Sequence, residues 1–122
     1  AQLLEKTDPA KAATIYEKAT KIDPKKEIAF FNLGAMYVNQ GVELYKKAND
    51  IGDDYEKAKA LQEQGDGLYK KAFPYLRSAQ ELQPCDGATL QAIMNICINL
   101  SSSDEAMMAE YKKYKEIKAN CP

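Results

Sequence analysis

Apolar residues recur every three or four positions along most of the chain, the spacing of one helical face. Asp8 is placed to cap a first helix, with Pro9 at the position where a missing N–H costs nothing. Ala12, Ile15, Tyr16 and Ala19 then share a face that Ile22 extends. Pro24 closes the segment by pushing the residue before it out of helical geometry. A second helix starts near Lys26 and is expected to bury Phe30, Leu33, Ala35 or Met36, and Tyr37. Beyond Gly41, the run Val42-Glu43-Leu44-Tyr45-Lys46-Lys47-Ala48 holds no breaker, so this helix is expected to continue to the turn signal Asn49-Asp50-Ile51-Gly52-Asp53-Asp54.

The returning helix starts at Tyr55, carries Ala58 and Leu61, and reaches about Gln83. Val38, Val42 and Tyr45 are expected to face Tyr55, Ala58 and Leu61 or Gln62 across the pair. Gly65 and Gly67 each cost about 1 kcal/mol inside a helix, and Pro74 removes a bond to Lys70, which predicts a kink or break between Gly65 and Pro74. Asp86-Gly87 opens another helix with the stripe Leu90, Ile93, Met94, Cys97 and Leu100. Ser101-Ser102-Ser103 reads as a turn, and Ser102 with Glu105 has capping-box spacing. A final helix is expected to bury Met107, Met108, Tyr111, Tyr114 and Ile117 beneath a polar face of Lys112, Lys113, Lys115 and Lys118. The chain reads as all-α.

One pattern occurs twice. Ala12, Tyr16, Ala19 and Pro24 spell Ala-x3-aromatic-x2-Ala-x4-Pro, and Ala72, Leu76, Ala79 and Pro84 spell it again with Leu in the aromatic place. Between them lies Phe30-Phe31-Asn32-Leu33-Gly34-Ala35-Met36-Tyr37, a large apolar residue followed at helical spacing by Leu-Gly and Tyr. Together these resemble the tetratricopeptide repeat, a helix-turn-helix unit of about 34 residues that stacks into a superhelix. The resemblance implies an α-solenoid of antiparallel helix pairs, with residues 1–24 a partial repeat, 25–84 an expanded repeat and 85–122 a divergent capping repeat. Glu110 stands where an aromatic is expected, unless the register slips to Tyr111. The spacing from Pro24 to Pro84 exceeds one period by about 26 residues. Placed at about 42–71 and split evenly, the insertion lengthens each helix by about 20 Å into a two-helix arm.

The elongated unit, with Leu68-Tyr69-Lys70-Lys71-Ala72-Phe73-Pro74-Tyr75-Leu76, is also similar to a group of bacterial tetratricopeptide proteins that are often exported. The family implies protein or peptide binding on a concave surface lined by the first helix of each repeat. Here that surface maps to Ile28, Phe31, Ala35, Val38 and Asn39, and to Ala88, Gln91, Asn95, Ile98 and Asn99. Asn95 and Asn99 lie four apart on one face, and their amides suit the backbone of an extended peptide; the plain alternative is that both are merely solvated. Members that grip a terminal carboxylate use Lys, Asn and Arg. Phe31 and Gln91 stand where Lys is wanted, and Asn32 and Ala92 where Arg is wanted, so such a clamp is not expected.

Stacked helix pairs also bring the connection into the last repeat and the end of its second helix to the same end of the domain. Cys85 and Cys121 can therefore meet there as a disulfide closing about 35 residues. That bridge implies an oxidising compartment and tilts the localisation toward an exported or periplasmic parent protein, although three cysteines leave Cys97 over. Cys97 on the apolar stripe reads as an inert core residue.

Composition narrows the function class. At 122 residues the chain is one domain, and 45% apolar with 29% charged residues is ordinary for a globular protein. A net charge of −1 offers no bulk attraction to nucleic acid or an anionic membrane. No apolar run suggests a membrane span or a leader, and the chain reads as a piece of a longer protein whose first helix lies upstream. With no histidine and no Gly-x-Ser-x-Gly, no catalytic site assembles, and no cofactor is implied. No Cys-x2-Cys pair offers a zinc site. Gly65-Asp66-Gly67 follows a helix rather than a strand and reads as a hinge, not a phosphate loop. Asp50, Asp53 and Asp54 lack the spacing and closing Glu of a calcium loop, so capping by Asp53 or Asp54 is the expected role and no metal site is assigned.

Two features stay open. Gly41-x2-Leu44-Tyr45-Lys46-Lys47-Ala48 parallels Gly65-x2-Leu68-Tyr69-Lys70-Lys71-Ala72, by duplication or by chance. Of the eight tyrosines, Tyr16, Tyr37 and Tyr111 read as core, whereas Tyr45, Tyr55 and Tyr69 either zip the arm together or present an aromatic docking surface. The expected function is a binding scaffold for a protein or peptide. The rivals are a structural or self-associating segment using the arm, and an accessory domain to an enzyme elsewhere in the parent chain.

Overall fold

The computed structural model describes residues 9–22 and 27–122. Those residues form five α-helices and no strand: α1 Pro9–Ile22, α2 Glu27–Ile51, α3 Tyr55–Leu82, α4 Gly87–Leu100 and α5 Ala106–Asn120. The expected cap Asp8, the closing Pro24 and the start near Lys26 lie outside the described residues.

Two long helices dominate. With 25 residues in α2 and 28 in α3, they span about 37 and 42 Å at 1.5 Å per residue. They run in opposite directions: Gly34 faces Leu76, Gly41 faces Tyr69, and Tyr45 faces Gly65. Gly52 makes the turn with φ of 65°, a conformation few side chains tolerate. Asp54 caps α3 by accepting a hydrogen bond from the Lys57 amide at 3.2 Å.

Of the kink or break expected between Gly65 and Pro74, the break is absent: helix continues through Gly65, Gly67 and Pro74. Propensity lost at these residues is offset by packing along α2. Gly65 is buried against Tyr45, where its missing side chain makes room for the ring. Pro74 is exposed, and its carbonyl accepts from the Ser78 hydroxyl at 3.1 Å.

The register of the pair also differs from the expected one. Tyr45 meets Gly65, Asp66 and Tyr69, not Tyr55. With the turn at 52–54, Tyr55 falls in the first turn of α3 and stays 74% exposed.

One apolar core draws on all five helices, through Ala12 and Tyr16 of α1, Leu33, Met36 and Tyr37 of α2, Ala72 and Leu76 of α3, Ile93 and Cys97 of α4, and Tyr114 of α5. Of the predicted pair, Met36 is buried and Ala35 half-buried. α1 packs through Ala12, Tyr16 and Thr20, four apart, which turns Ile15 and Ile22 outward at 40% and 84% exposure. The Tyr37 hydroxyl ties α2 to α1 by donating to Glu17 Oε1 at 3.1 Å. Its ring stacks on Tyr75 at 6.0 Å, beneath the Lys71 ammonium.

The last helix departs from expectation at its start. Ser102 and Glu105 form no capping box. The chain turns over residues 101–105, and Asp104 Oδ1 accepts from the Ala106 amide at 3.0 Å. Tyr114 alone is fully buried on α5; Met107, Tyr111 and Ile117 are half-buried and Met108 faces out. Cys85, in the connection before α4, is disulfide-bonded to Cys121 just past α5, with Cα atoms 5.6 Å apart.

Candidate functional site

The candidate surface is built on α4. Asp86 Oδ2 caps the helix by accepting from the Thr89 amide at 3.1 Å and the Thr89 hydroxyl at 2.6 Å. That fixes the helical phase. Thr89, Leu90, Ile93, Met94, Ile96, Cys97 and Leu100 all turn inward. Ala88, Gln91, Asn95, Ile98 and Asn99 are left as one exposed stripe, at the three- and four-residue spacing of a helical face.

The amides on this stripe are organised. Gln91 Nε2 donates to Asn95 Oδ1 at 3.0 Å, and Asn99 Nδ2 donates to the Asn95 carbonyl at 2.8 Å. Lys118 of α5 reaches over and donates to Gln91 Oε1 at 2.8 Å. These bonds orient the side chains and consume part of their capacity. The Asn95 amide N–H groups and the Asn99 carbonyl oxygen take no partner among the described residues. A donor and an acceptor thus stand one helical turn apart, with Ile98, 48% exposed, as an apolar neighbour.

The α2 residues named from the sequence form a second group. Phe31 and Val38 are half-buried and pack against the core, Ala35 is half-buried, and Asn39 and Ile28 are exposed. α2 touches α4 over only a short stretch. No hydrogen bond joins the α2 group to the α4 row among the described residues.

The arm tyrosines separate into two kinds. Tyr45 and Tyr69 meet edge to face at 5.1 Å, and the Tyr45 hydroxyl donates to Asp66 Oδ1. Burial first, then the Asp66 carboxylate, pushes both phenols above their ordinary range. Tyr55 carries no such contact among the described residues and stands 74% exposed in the first turn of α3. Asp50, Asp53 and Asp54 are exposed there.

Three residues to which the sequence assigned no contact shape these surfaces: Asp66, Lys118 and Glu110. Glu110 Oε2 is buried without a hydrogen-bond partner among the described residues. Burial and then the Glu110 charge raise the Cys97 thiol to about 11. A polar residue inside an apolar phase was the one available signal for Glu110. The contacts of Asp66 and Lys118 depend on neighbours 21 and 27 positions away.

Among the described residues, no group of His, Cys, Asp and Glu is placed to hold a metal ion. No described helix is long and apolar enough to cross a membrane. Comparison with protein-family models, with curated proteins and with solved structures finds no match to this chain.

Proposed function

We propose that this chain is a tetratricopeptide-like scaffold that binds an extended peptide or protein segment along α4. The observation that carries the reading is the exposed row Gln91, Asn95 and Asn99, pre-oriented by its own hydrogen bonds and left with a free donor and a free acceptor. Pre-orientation lowers the entropy lost when a ligand settles, so a modest amide row can still give useful affinity. Phe31, Ala35, Val38 and Asn39 of α2 supply a second, more apolar wall to the proposed groove. The twofold Ala-x3-aromatic-x2-Ala-x4-Pro pattern and the long antiparallel α2–α3 pair are consistent with stacked repeats. An exported bacterial parent protein belongs to the same proposal and gives the Cys85–Cys121 bridge a suitable compartment.

A displayed library of random peptides, selected on the whole chain, tests this. A selected peptide should lose at least tenfold in affinity against the Asn95→Ala/Asn99→Ala variant, with unchanged thermal stability. Equal affinity for both proteins would remove the groove from consideration.

One observation favours a second reading. Tyr55 stands 74% exposed at the tip of the α2–α3 pair, where an aromatic ring is suited to self-association. Sedimentation equilibrium separates the two readings: a dimer abolished by Tyr55→Ala supports the arm, and a monomer at high concentration rejects it.

A further inference from the structure

α5 docks on α4 through a shallow face, with Met107, Tyr111 and Ile117 only half-buried against the core. It buries one side chain fully, Tyr114, whose ring meets Phe73 edge to face at 6.4 Å. Glu105 makes no side-chain cap bond, and the first turn of α5 relies on Asp104 Oδ1 accepting from the Ala106 amide. Its inward-facing Glu110 brings a buried carboxylate oxygen that finds no hydrogen-bond partner among the described residues, which weakens the docking. At the other end, Cys121 is tied to Cys85, and Cys85 is exposed to solvent.

What α5 covers is equally specific. Cys97 of α4 is fully buried, and Glu110 and Tyr114 of α5 stand close enough for charge on one to act on the others. This thiol is the chain's only free cysteine among the three. Lys118, near the end of α5, donates to Gln91 on the exposed face of α4. Releasing α5 therefore changes both faces of α4 together, baring Cys97 and removing the cation from Gln91.

We propose that the Cys85–Cys121 disulfide is a redox latch, whose reduction by a dithiol frees α5 and bares the Cys97 face of α4 while α2 and α3 stay folded. The chemistry balances as ordinary exchange. A thiolate of the dithiol attacks the sulfur of Cys85, an exposed residue, and the Cys121 sulfur leaves and takes a proton. The second thiol of the reductant then displaces Cys85, which is protonated in turn. Two electrons pass to the bridge, and the dithiol ends as its own disulfide. α2 and α3 stay folded because they share the longest contact in the molecule, and neither carries a cysteine. The latch does not depend on which ligand α4 binds.

Cys97 is a built-in reporter. The whole chain is prepared oxidised, and reduced with dithiothreitol that is then removed without air. Each form is exposed to N-ethylmaleimide, and the Cys97 peptide is followed by mass spectrometry. The Cys85→Ser/Cys121→Ser variant is run alongside. Amide hydrogen exchange on α2 and α3 is recorded for every sample. A bridge across 36 positions restrains opening by roughly 10²- to 10³-fold in the loop-entropy description. Cys97 alkylation should rise by that factor on reduction, with protection of α2 and α3 retained, and the serine variant should behave as the reduced protein. A rise below tenfold overturns the proposal. So does an equal loss of protection in α2 and α3, because the bridge would then stabilise the whole domain and not latch one helix. If the serine variant fails to fold, the reduced native sequence decides alone.

Discussion

Tyr45 and Tyr69 meet edge to face with ring centroids 5.1 Å apart, and each ring lies over a glycine of the opposite helix, Tyr45 over Gly65 and Tyr69 over Gly41. The two glycines and two tyrosines occupy matching places in the paired segments Gly41-x2-Leu44-Tyr45 and Gly65-x2-Leu68-Tyr69. The segments thus contact one another through the same residues, as two copies do across a local two-fold axis. Two bulky rings fit between helices only because the residue beneath each has no Cβ. This contact closes the α2–α3 pair in the middle of its length.

The glycines of α3 should consequently respond to alanine with opposite signs. A Cβ at Gly65 would stand 2.8 Å from Tyr45 Cε1, whereas one at Gly67 meets nothing within 4 Å. Gly67→Ala should stabilise the chain by about 0.5–1 kcal/mol through helix propensity alone. Gly65→Ala gains the same propensity but forces the ring aside, for a net loss of about 1–2 kcal/mol. Urea unfolding midpoints of the two variants check this, and equal shifts would refute the Gly–Tyr packing.

Alkaline pH should unfold the domain earlier than it would a chain of exposed tyrosines. Burial, followed by the bond to Glu17, raises the Tyr37 phenol from near 10 to about 12. Tyr45, Tyr69, Tyr75 and Tyr114 shift in the same direction, with burial the leading cause in each. Below pH 10 these phenols are protonated whether folded or not, and stability is unaffected. Above it the unfolded chain ionises first, so stability falls as pH rises from 10 to 12. Tyr37 alone accounts for about 2–3 kcal/mol of that loss. Unfolding midpoints recorded across this range should drop steeply, and Tyr37→Phe should flatten the slope. A slope unchanged in that variant would contradict the assignment.

Glu110 is a site where the chain carries avoidable cost. Its Oε2 is buried without a hydrogen bond among the described residues, beside Cys97 and Tyr114. Replacing it with methionine of similar length should raise stability by about 1 kcal/mol, because a desolvated oxygen is exchanged for apolar packing. Thermal unfolding of Glu110→Met at neutral pH checks this. A lower melting temperature would place a partner on that oxygen.

Much of the architecture was legible before the structure, and the reasons are local. Asp54 and Asp86 cap the helices that follow them, and the turn falls on Gly52, because these signals act within three or four residues. The stripe of α4 was legible too, since its buried and exposed positions separate cleanly at helical spacing. Misreadings arose wherever a neighbour far along the chain decides. Gly65 and Pro74 read as weak points by propensity, yet packing against α2 carries the helix through both. The register of α2 on α3 was misplaced because it follows from which glycine receives which tyrosine, a choice invisible in either segment alone. The Lys118–Gln91 bond, which orients the amide row, likewise had no local signature.

The most direct test of the account is a side-chain amide titration by nitrogen-15 NMR, using a peptide selected on the whole chain. The proposed groove predicts that the largest shifts fall on the amide groups of Gln91, Asn95 and Asn99, with the backbone of Ile98 moving beside them and the signals around Tyr55 unchanged. Shifts concentrated at residues 50–58, with the three α4 amides undisturbed, would contradict it and move the binding surface to the tip of the α2–α3 pair.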